Sequence, residues 1–209
     1  MEIAFLLFDG ITPLDAIGPF EVLGRIPGAK VKMVGKRKGH VRTRGGSLAM
    51  NADYALDEVT RPDVLLVPGG AGADATAEDK EVTDWVAKAH ETTTWTTSVC
   101  TGALILGGAG VLKGLKATTH WRAMEDLKKF GATPVRDRVV RQGKVVTAAG
   151  VSSGLDMALT LAAEIAGDEV AKAIQLGIEY APEPPFDAGR FEDAPAERIS
   201  MVRTVLSRP

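Results

Sequence analysis

The chain has 209 residues, of which 25 are Lys or Arg and 27 are Asp or Glu, and it contains a single cysteine. This length fits one domain with a sizeable core, and the near-balanced charge lacks the basic surface that nucleic acid or anionic lipid requires. One cysteine cannot form an internal disulfide, no apolar run approaches the roughly 20 residues of a membrane helix, and the N-terminal MEIAFLLFDG lacks the features of a signal peptide. We therefore expect one soluble, cytoplasmic domain over residues 1–209 that binds small molecules and neither nucleic acid nor membranes.

The first half of the chain alternates apolar runs, which predict strands, with segments of helical period. In chain order it predicts a strand at residues 3–8, a helix after Pro13 that is interrupted at Gly18–Pro19, a strand at 31–34, a hairpin at 35–50, a strand at 63–67 and a helix at 78–90. The run at 63–67 (DVLLV) is continuously apolar, as in a strand of a parallel sheet that is buried on both faces.

The second half continues this alternation and adds a C-terminal extension. In chain order it predicts a strand at 94–99, a helix of small residues at 101–110, a short strand at 116–119, an amphipathic helix at 121–130, a hairpin at 139–146 that turns at 142–144, and helices at 152–166 and 168–180. Ser152 and Asp168 are expected to cap the last two helices. From about Ala181 the sequence is rich in proline and predicts an irregular extension before a last short helix.

Strands that alternate with helices predict an α/β sandwich, with a mostly parallel sheet and helices on both faces. In such sheets ligands bind at the carboxyl ends of the strands. The loops after Phe8, Val67 and Val99 all lie at that edge if the strands run parallel. These three loops therefore contain the candidate site.

Cys100 is predicted at the turn between the strand at 94–99 and the helix that follows it. A lone cysteine in a cytosolic protein is usually an inert, small hydrophobic residue. In this setting, however, the free N–H groups at the start of the helix favour the thiolate, and Gly102 and Ala103 leave room for a sharp turn. The arrangement is similar to a nucleophile elbow, although the G-x-S-x-G pattern itself is absent.

Asp15 is the second candidate, because it lies among apolar residues where the first helix begins. It is either a helix-start carboxylate that interacts with free N–H groups, or a carboxyl in a cleft beside a thiolate, where it would hold its proton. In the second case the two groups share one proton, and Asp15 carries it near neutral pH while Cys100 is ionised by the helix N-terminus.

The glycine-rich stretch PGGAGADA at residues 68–75 matches the pattern G-x-G-x-x-A after a strand. As a dinucleotide-binding motif it is weak, because no acidic residue ends the following strand. Its glycines serve another purpose better: they leave backbone N–H groups exposed at a strand end, where they can stabilise negative charge on a substrate.

The chain has three histidines, His40, His90 and His120. With one cysteine and no two histidines at ligand spacing, the sequence gives little support to a metal site. We expect His40 and His90 to face solvent. For His120 and the adjacent Trp121, a structural role and a place in the wall of the cleft both stay open.

Four segments, taken together and in order, resemble the DJ-1/PfpI superfamily and most closely its isocyanide hydratase branch: FLLFDGITPLDAIGPFEVL, DVLLVPGG, TSVCTGALILGGAGVLKGLKATTHW and AAGVSSGLDMALTLAAE. The resemblance implies a flavodoxin-like α/β sandwich, a homodimer, and hydration of an organic isocyanide to an N-substituted formamide through a thioimidate, without a metal or organic cofactor. It implies Cys100 as the nucleophile and Asp15 as the interacting acid. The N–H groups of Gly70 and Thr101 would stabilise an anion, and the Thr101 hydroxyl would position water.

Two positions separate this chain from much of the superfamily. Many members have Glu in place of Asp15, and protease-like members have His directly after the cysteine, where this chain has Thr101. Both differences favour the hydratase branch, and the missing imidazole base argues against peptidase activity. Two alternatives remain open: a glyoxalase-type hydration of small dicarbonyls, and a non-catalytic redox sensor or regulator in which Cys100 is oxidised to the sulfinic acid.

Overall fold

A computed structural model of the protein describes residues 1–206, and its main feature is a layered arrangement of strands and helices. The strands are, in chain order, β1 (Glu2–Leu7), β2 (Lys30–Gly35), β3 (Gly39–Arg42), β4 (Ala49–Ala52), β5 (Tyr54–Ala55), β6 (Val64–Val67), β7 (Trp95–Val99), β8 (Lys116–Ala117), β9 (Thr133–Pro134), β10 (Val139–Gln142) and β11 (Val145–Ala148). The α-helices are α1 (Pro13–Leu23), α2 (Ala73–Glu78), α3 (Lys80–Thr92), α4 (Gly102–Gly108), α5 (Ser153–Ala166), α6 (Asp168–Gly177) and α7 (Ala196–Leu206).

Seven of the strands form one sheet in the order β10-β11-β7-β6-β1-β2-β5. Every neighbouring pair in this sheet is parallel except β10 and β11, which form an antiparallel hairpin. The β3–β4 hairpin and the β8–β9 pair form separate two-stranded sheets. The predicted α/β fold with a mostly parallel sheet is confirmed, and the carboxyl ends of β1, β6 and β7 meet at one edge.

Helices cover both faces of the sheet, and the alternation of side chains along β7 shows which helix covers which face. The hydroxyl of Thr96 lies 2.8 Å from Nδ1 of His90 on α3. Val99 faces the opposite side, where a Cβ added to Gly154 of α5 would lie 3.1 Å both from Val99 and from Pro19 of α1. All five residues of β7 are buried, as expected for a central strand with helices on both faces.

The first helix differs from the prediction, because it continues through Gly18 and Pro19. Pro13 begins the helix, where its missing N–H costs no helical hydrogen bond. Pro19 removes one interior hydrogen bond, but α1 packs along α5. A Cβ on Gly18 would lie 3.3 Å from Leu155 of α5, so Gly18 is there for close helix packing and does not interrupt the helix.

The segment at 121–130 is not the amphipathic α-helix that its sequence predicts. It forms two 3₁₀ stretches, Trp121–Ala123 and Glu125–Phe130. The strand predicted at 116–119 is also shorter and pairs with β9 outside the central sheet. Each 3₁₀ stretch has one buried residue, and the spacing between the two resembles that of an amphipathic α-helix. The sequence pattern therefore predicted an α-helix here.

The short elements α2, β5 and β9 were not predicted from the sequence. The start of α2 is hidden by the glycines before it, which resemble a loop. A Cβ on Gly72 would lie only 1.9 Å from the carbonyl oxygen of Asp9, so this glycine permits the close approach of two backbone segments.

The predicted hairpin at 139–146 is confirmed, and Gly143 in its turn has φ 60°. The predicted caps are wrong in detail. Ser152 makes no side-chain cap hydrogen bond at the start of α5. Asp168 is the first residue of α6, and Gly167, with φ 89°, precedes it.

The backbone divides into two compact units, Met1–Ile178 and a second that begins at Glu179. In the second unit, residues 181–195 contain no helix or strand, as predicted for the proline-rich extension, and α7 follows. That residues 1–209 act as one domain stays a prediction. Within residues 1–206, no helix is both long and apolar enough to cross a membrane.

Candidate active site

Cys100 lies at the predicted turn between β7 and α4, in a left-handed backbone conformation with φ 56°. A non-glycine residue in this region carries a strain of about 1–3 kcal/mol, so the surrounding structure must hold it in place. The Cys100 N–H donates to the carbonyl oxygens of Ala148 at 3.1 Å and Ala149 at 2.8 Å. The Cys100 carbonyl accepts a hydrogen bond from the Thr119 hydroxyl at 2.7 Å. Both backbone polar groups of the cysteine are therefore fixed.

Two glycines allow the turn to approach the end of β6. A Cβ on Gly102 would lie 2.1 Å from the carbonyl oxygen of Val67, and a Cβ on Gly69 would lie 2.5 Å from the Thr101 nitrogen. Both distances are impossible for a real side chain. The turn after β7 and the loop after β6 thus meet at the carboxyl edge of the sheet, where the sequence predicted the site.

The Asp15 carboxyl is fully buried at this edge. The Gly69 N–H donates to Oδ2 at 3.0 Å, whereas Oδ1 has no hydrogen-bond partner among the described residues. Burial raises the pKa of Asp15 to about 7, although the Gly69 N–H and the Cys100 side chain act in the opposite direction. The partner on Oδ2 comes from the loop after β6 and not from the first turn of α1. This geometry favours the acid in a cleft over the helix-start carboxylate.

The Cys100 thiol is also buried, with 5% of its surface exposed. Burial is the main cause that raises the pKa of this thiol, and the charge on Asp15 raises it further. The Thr101 N–H and hydroxyl favour the thiolate but do not outweigh the burial. The direction of this shift opposes the expectation that the helix N-terminus ionises Cys100 in the resting site. Burial therefore favours the neutral thiol over the thiolate.

Thr101 and Gly70, which the family resemblance implies as two donors of one site, lie next to each other. The Gly70 N–H donates to the Thr101 hydroxyl at 2.9 Å, and that hydroxyl is 3.2 Å from the Gly70 carbonyl oxygen. The Gly70 N–H is therefore already satisfied and can reach a substrate only after the hydroxyl moves aside. The Thr101 N–H, by contrast, lowers the pKa of the Cys100 thiol.

The histidines differ in their surroundings. His40 is exposed, as predicted, whereas His90 is half-buried against Thr96 and does not face solvent. His120 is half-buried beside Trp121, with its ring 5.5 Å from the indole, and its Nδ1 accepts the Arg122 N–H at 3.3 Å. Burial lowers the pKa of His120, so its imidazole is neutral near pH 7. Within residues 1–206, no cluster of three or more His, Cys, Asp or Glu side chains could hold a metal ion.

Two residues of the site were not identified from the sequence. Gly69 supplies the N–H that holds Asp15, and Thr119 holds the Cys100 carbonyl. Gly69 could have been found, because it belongs to the Pro68–Gly70 turn at the predicted edge. Nothing local in the sequence assigns the hydroxyl of Thr119 to Cys100, which lies on another element.

Known proteins are similar to this chain in sequence and in structure. A family model described as the DJ-1/PfpI family matches residues 1–164. An isonitrile hydratase from Pseudomonas putida is 41% identical over 203 residues, which cover 97% of this chain and 89% of that protein. The protein DJ-1 homolog A of Arabidopsis thaliana is 30% identical over 184 residues, or 84% of this chain and 45% of that protein. The crystal structure of a THiJ/PfpI family protein from Pseudomonas syringae has a TM-score of 0.93 at 40% identity, covering 98% of this chain and 86% of that chain.

The raised pKa of Asp15 predicts how Asp15→Asn changes stability with pH. The unfolded carboxyl ionises near pH 4 and the folded one near pH 7, so the unfolded state binds fewer protons in between and wild-type stability falls as pH rises through this window. The Asn variant lacks this loss. Its free energy of unfolding, measured with urea, should therefore rise relative to the wild type by about 2–3 kcal/mol between about pH 5 and about pH 8.

The matched control for this experiment is Glu21→Gln, which changes a carboxylate on the same helix that pairs with Arg25 near the surface. The free energy of unfolding of this variant should stay within about 0.5 kcal/mol of the wild-type value at both pH values. If the free energies of unfolding of Asp15→Asn and the wild type differ by the same amount at both pH values, burial does not raise the pKa of Asp15.

Proposed function

The chain belongs to the DJ-1/PfpI family, and on that premise we propose that it is an isocyanide hydratase, which adds water to an organic isocyanide, R–NC, and releases an N-substituted formamide. Isonitrile and isocyanide are two names for the same functional group. The observation that supports the proposal most strongly is the placement of Asp15 and Thr101 around the strained Cys100, in a chain 41% identical to an isonitrile hydratase over nearly its whole length.

In the first step, the sulfur of Cys100 attacks the terminal carbon of the isocyanide. Asp15 takes the thiol proton and delivers a proton to that same carbon, so that R–NC and the thiol give the thioimidate R–N=CH–S–Cys. A carboxyl with a pKa of about 7 suits this role, because it gives and accepts protons with similar ease near neutral pH. The Thr101 N–H stabilises the negative charge on sulfur while the proton moves.

In the second step, water attacks the thioimidate carbon, and the imine nitrogen receives a proton. The resulting intermediate, R–NH–CH(OH)–S–Cys, expels the sulfur and gives R–NH–CHO and the free thiol. The Thr101 hydroxyl is half-buried beside Cys100 and Gly70, and we assign it to hold the water. The two steps consume one water and regenerate both side chains.

The direct test is a panel of alkyl and aryl isocyanides with detection of the formamide products, run beside methylglyoxal. Formamide formation without dicarbonyl consumption supports the hydratase. Consumption of methylglyoxal alone would instead support the glyoxalase-type reaction, and no turnover of either in reducing buffer would favour the redox sensor. A cytoplasmic location belongs to the same proposal, because a reducing compartment keeps the Cys100 thiol free.

Replacement of the nucleophile should abolish turnover. Cys100→Ala and Cys100→Ser should reduce formamide formation to the background rate, because the chain has no other cysteine to form the thioimidate. Circular dichroism should show that both variants keep the wild-type fold. Retention of more than a few per cent of activity by either variant would exclude covalent catalysis by the thiol.

Replacement of the acid should be less damaging and should change the pH profile. Asp15→Asn keeps an acceptor for the Gly69 N–H but cannot transfer a proton, so kcat should fall by roughly 10²-fold or more. Asp15→Glu keeps the proton but moves the carboxyl about one methylene towards the substrate. It should lose activity only in part, and a gain of dicarbonyl turnover is the second readout. Turnover of one isocyanide is measured between about pH 5 and about pH 9, and thiol ionisation is followed by ultraviolet absorbance.

Glu21→Gln again serves as the control on α1 and should keep the wild-type kcat and pH profile. Wild-type turnover by Asp15→Asn, with an unchanged pH profile, would show that the carboxyl is a structural residue.

We also propose that the protein is a homodimer, as the family resemblance implies. Helix α1 exposes three large apolar side chains that a second copy of the chain could cover, those of Leu14, Ile17 and Phe20. Light scattering at micromolar concentration should give twice the mass of the chain, because burial of such a face is favourable. A monomer mass under these conditions would contradict the proposal.

A further inference from the structure

One peptide group joins the nucleophile to the residue that stabilises it. Its carbonyl belongs to Cys100 and its N–H belongs to Thr101. Because a trans peptide is planar, the C=O and N–H bonds point in opposite directions. The Thr101 N–H lowers the pKa of the Cys100 thiol and so favours the thiolate. Any group that fixes the direction of the Cys100 carbonyl therefore also fixes the direction of this N–H.

Thr119 is that group. Its hydroxyl donates to the Cys100 carbonyl oxygen at 2.7 Å, and the residue is 1% exposed. The N–H of Ala103 also approaches this oxygen, but at 3.4 Å, which is beyond the usual length of an N–H···O hydrogen bond. The threonine thus provides the main constraint on the peptide.

Thr119 is itself tied to the central sheet. The adjacent Thr118 N–H donates to the Thr147 hydroxyl of β11 at 2.9 Å. The same strand accepts the Cys100 N–H through the carbonyl of Ala148 at 3.1 Å. Both polar groups of the Cys100 backbone are therefore connected to β11, the N–H directly and the carbonyl through the segment 118–119.

We propose that Thr119 is a positioning residue for the nucleophile: its hydroxyl holds the Cys100–Thr101 peptide so that the Thr101 N–H stays directed at the sulfur as negative charge develops there. The left-handed conformation of Cys100 makes this constraint necessary, because a strained residue keeps its geometry only where its neighbours fix it. The effect on turnover rests on the proposed function, whereas the effect on the thiol does not.

The test compares Thr119→Val, which removes the hydroxyl at nearly constant shape, with Thr119→Ser, which keeps it. The matched control is Thr97→Val. Thr97 is also fully buried, and its hydroxyl donates to a backbone carbonyl, that of Leu65 at 3.0 Å, but that carbonyl is not part of the turn. The rate at which iodoacetamide alkylates the protein is measured against pH, and the chain's single cysteine makes this rate specific for Cys100.

For Thr119→Val we expect the curve of alkylation rate against pH to move up by about one unit, which is about a tenfold slower reaction at neutral pH. The kcat for an isocyanide should fall by about the same factor with little change in KM, since the affected N–H acts on the reacting sulfur. Thr119→Ser should restore the wild-type curve, and Thr97→Val should leave it unchanged. Circular dichroism checks the fold, and Thr119→Ala replaces the valine variant if the latter does not fold.

The proposal is overturned if Thr119→Val, or Thr119→Ala in its place, alkylates along the wild-type curve. It is also overturned if Thr119→Ser moves the curve as far as valine does, or if Thr97→Val moves it equally. Because alkylation needs no isocyanide, a wild-type protein that fails to hydrate isocyanides would refute the proposed function and still leave this measurement decisive for Thr119.

Discussion

The left-handed backbone at Cys100 is the constraint on which the rest of the site depends. The chain leaves β7, which is buried at every position, and enters α4 after only two residues, Cys100 and Thr101. This turn is strained for a residue with a side chain, and it persists because both backbone polar groups of Cys100 are hydrogen-bonded and because Gly69 and Gly102 leave no Cβ in the way. As a result, the sulfur is fixed at the edge of the sheet. Asp15, on the helix that follows β1, and Gly70, in the loop after β6, lie at the same edge.

Burial assembles this site and at the same time opposes the charge that its chemistry needs. It raises the pKa values of both Asp15 and Cys100, so the resting site favours the neutral thiol over the thiolate. An isocyanide is a neutral molecule and brings no charge that could stabilise the thiolate. In the proposed reaction the thiolate therefore forms during the attack itself, with a base close to the sulfur. A carboxyl whose pKa is about 7 is ionised often enough to take the thiol proton and is acidic enough to return it.

The sequence predicts those parts of the fold that depend on local patterns and fails where contacts between distant segments decide. The apolar run of β6, the turn after β7 and the glycine in the β10–β11 hairpin carry their signals within a few residues, and all were predicted correctly. Gly18–Pro19 indicates an interrupted helix, but packing against α5 keeps α1 continuous. The pairing of Asp15 with Cys100 came from family resemblance, since nothing local joins two residues so far apart. The hydrogen bond from Thr119 to Cys100 also joins residues of different segments, and no sequence motif indicated it.

Threonine at positions 101 and 119 fixes the backbone of the site without adding a titratable group to it. Thr101 and Thr119 both fix backbone groups through hydroxyls, which donate and accept hydrogen bonds without carrying charge. A histidine at position 101 would provide a second titratable base, and its cation would stabilise the thiolate without help from Asp15. The imidazole of His120 does not take that place, because its Nδ1 accepts the Arg122 N–H and burial lowers its pKa. In the proposed reaction, the proton is therefore exchanged between Cys100, Asp15 and the substrate, and the backbone geometry that we assign to Thr119 would set how readily the sulfur gives it up.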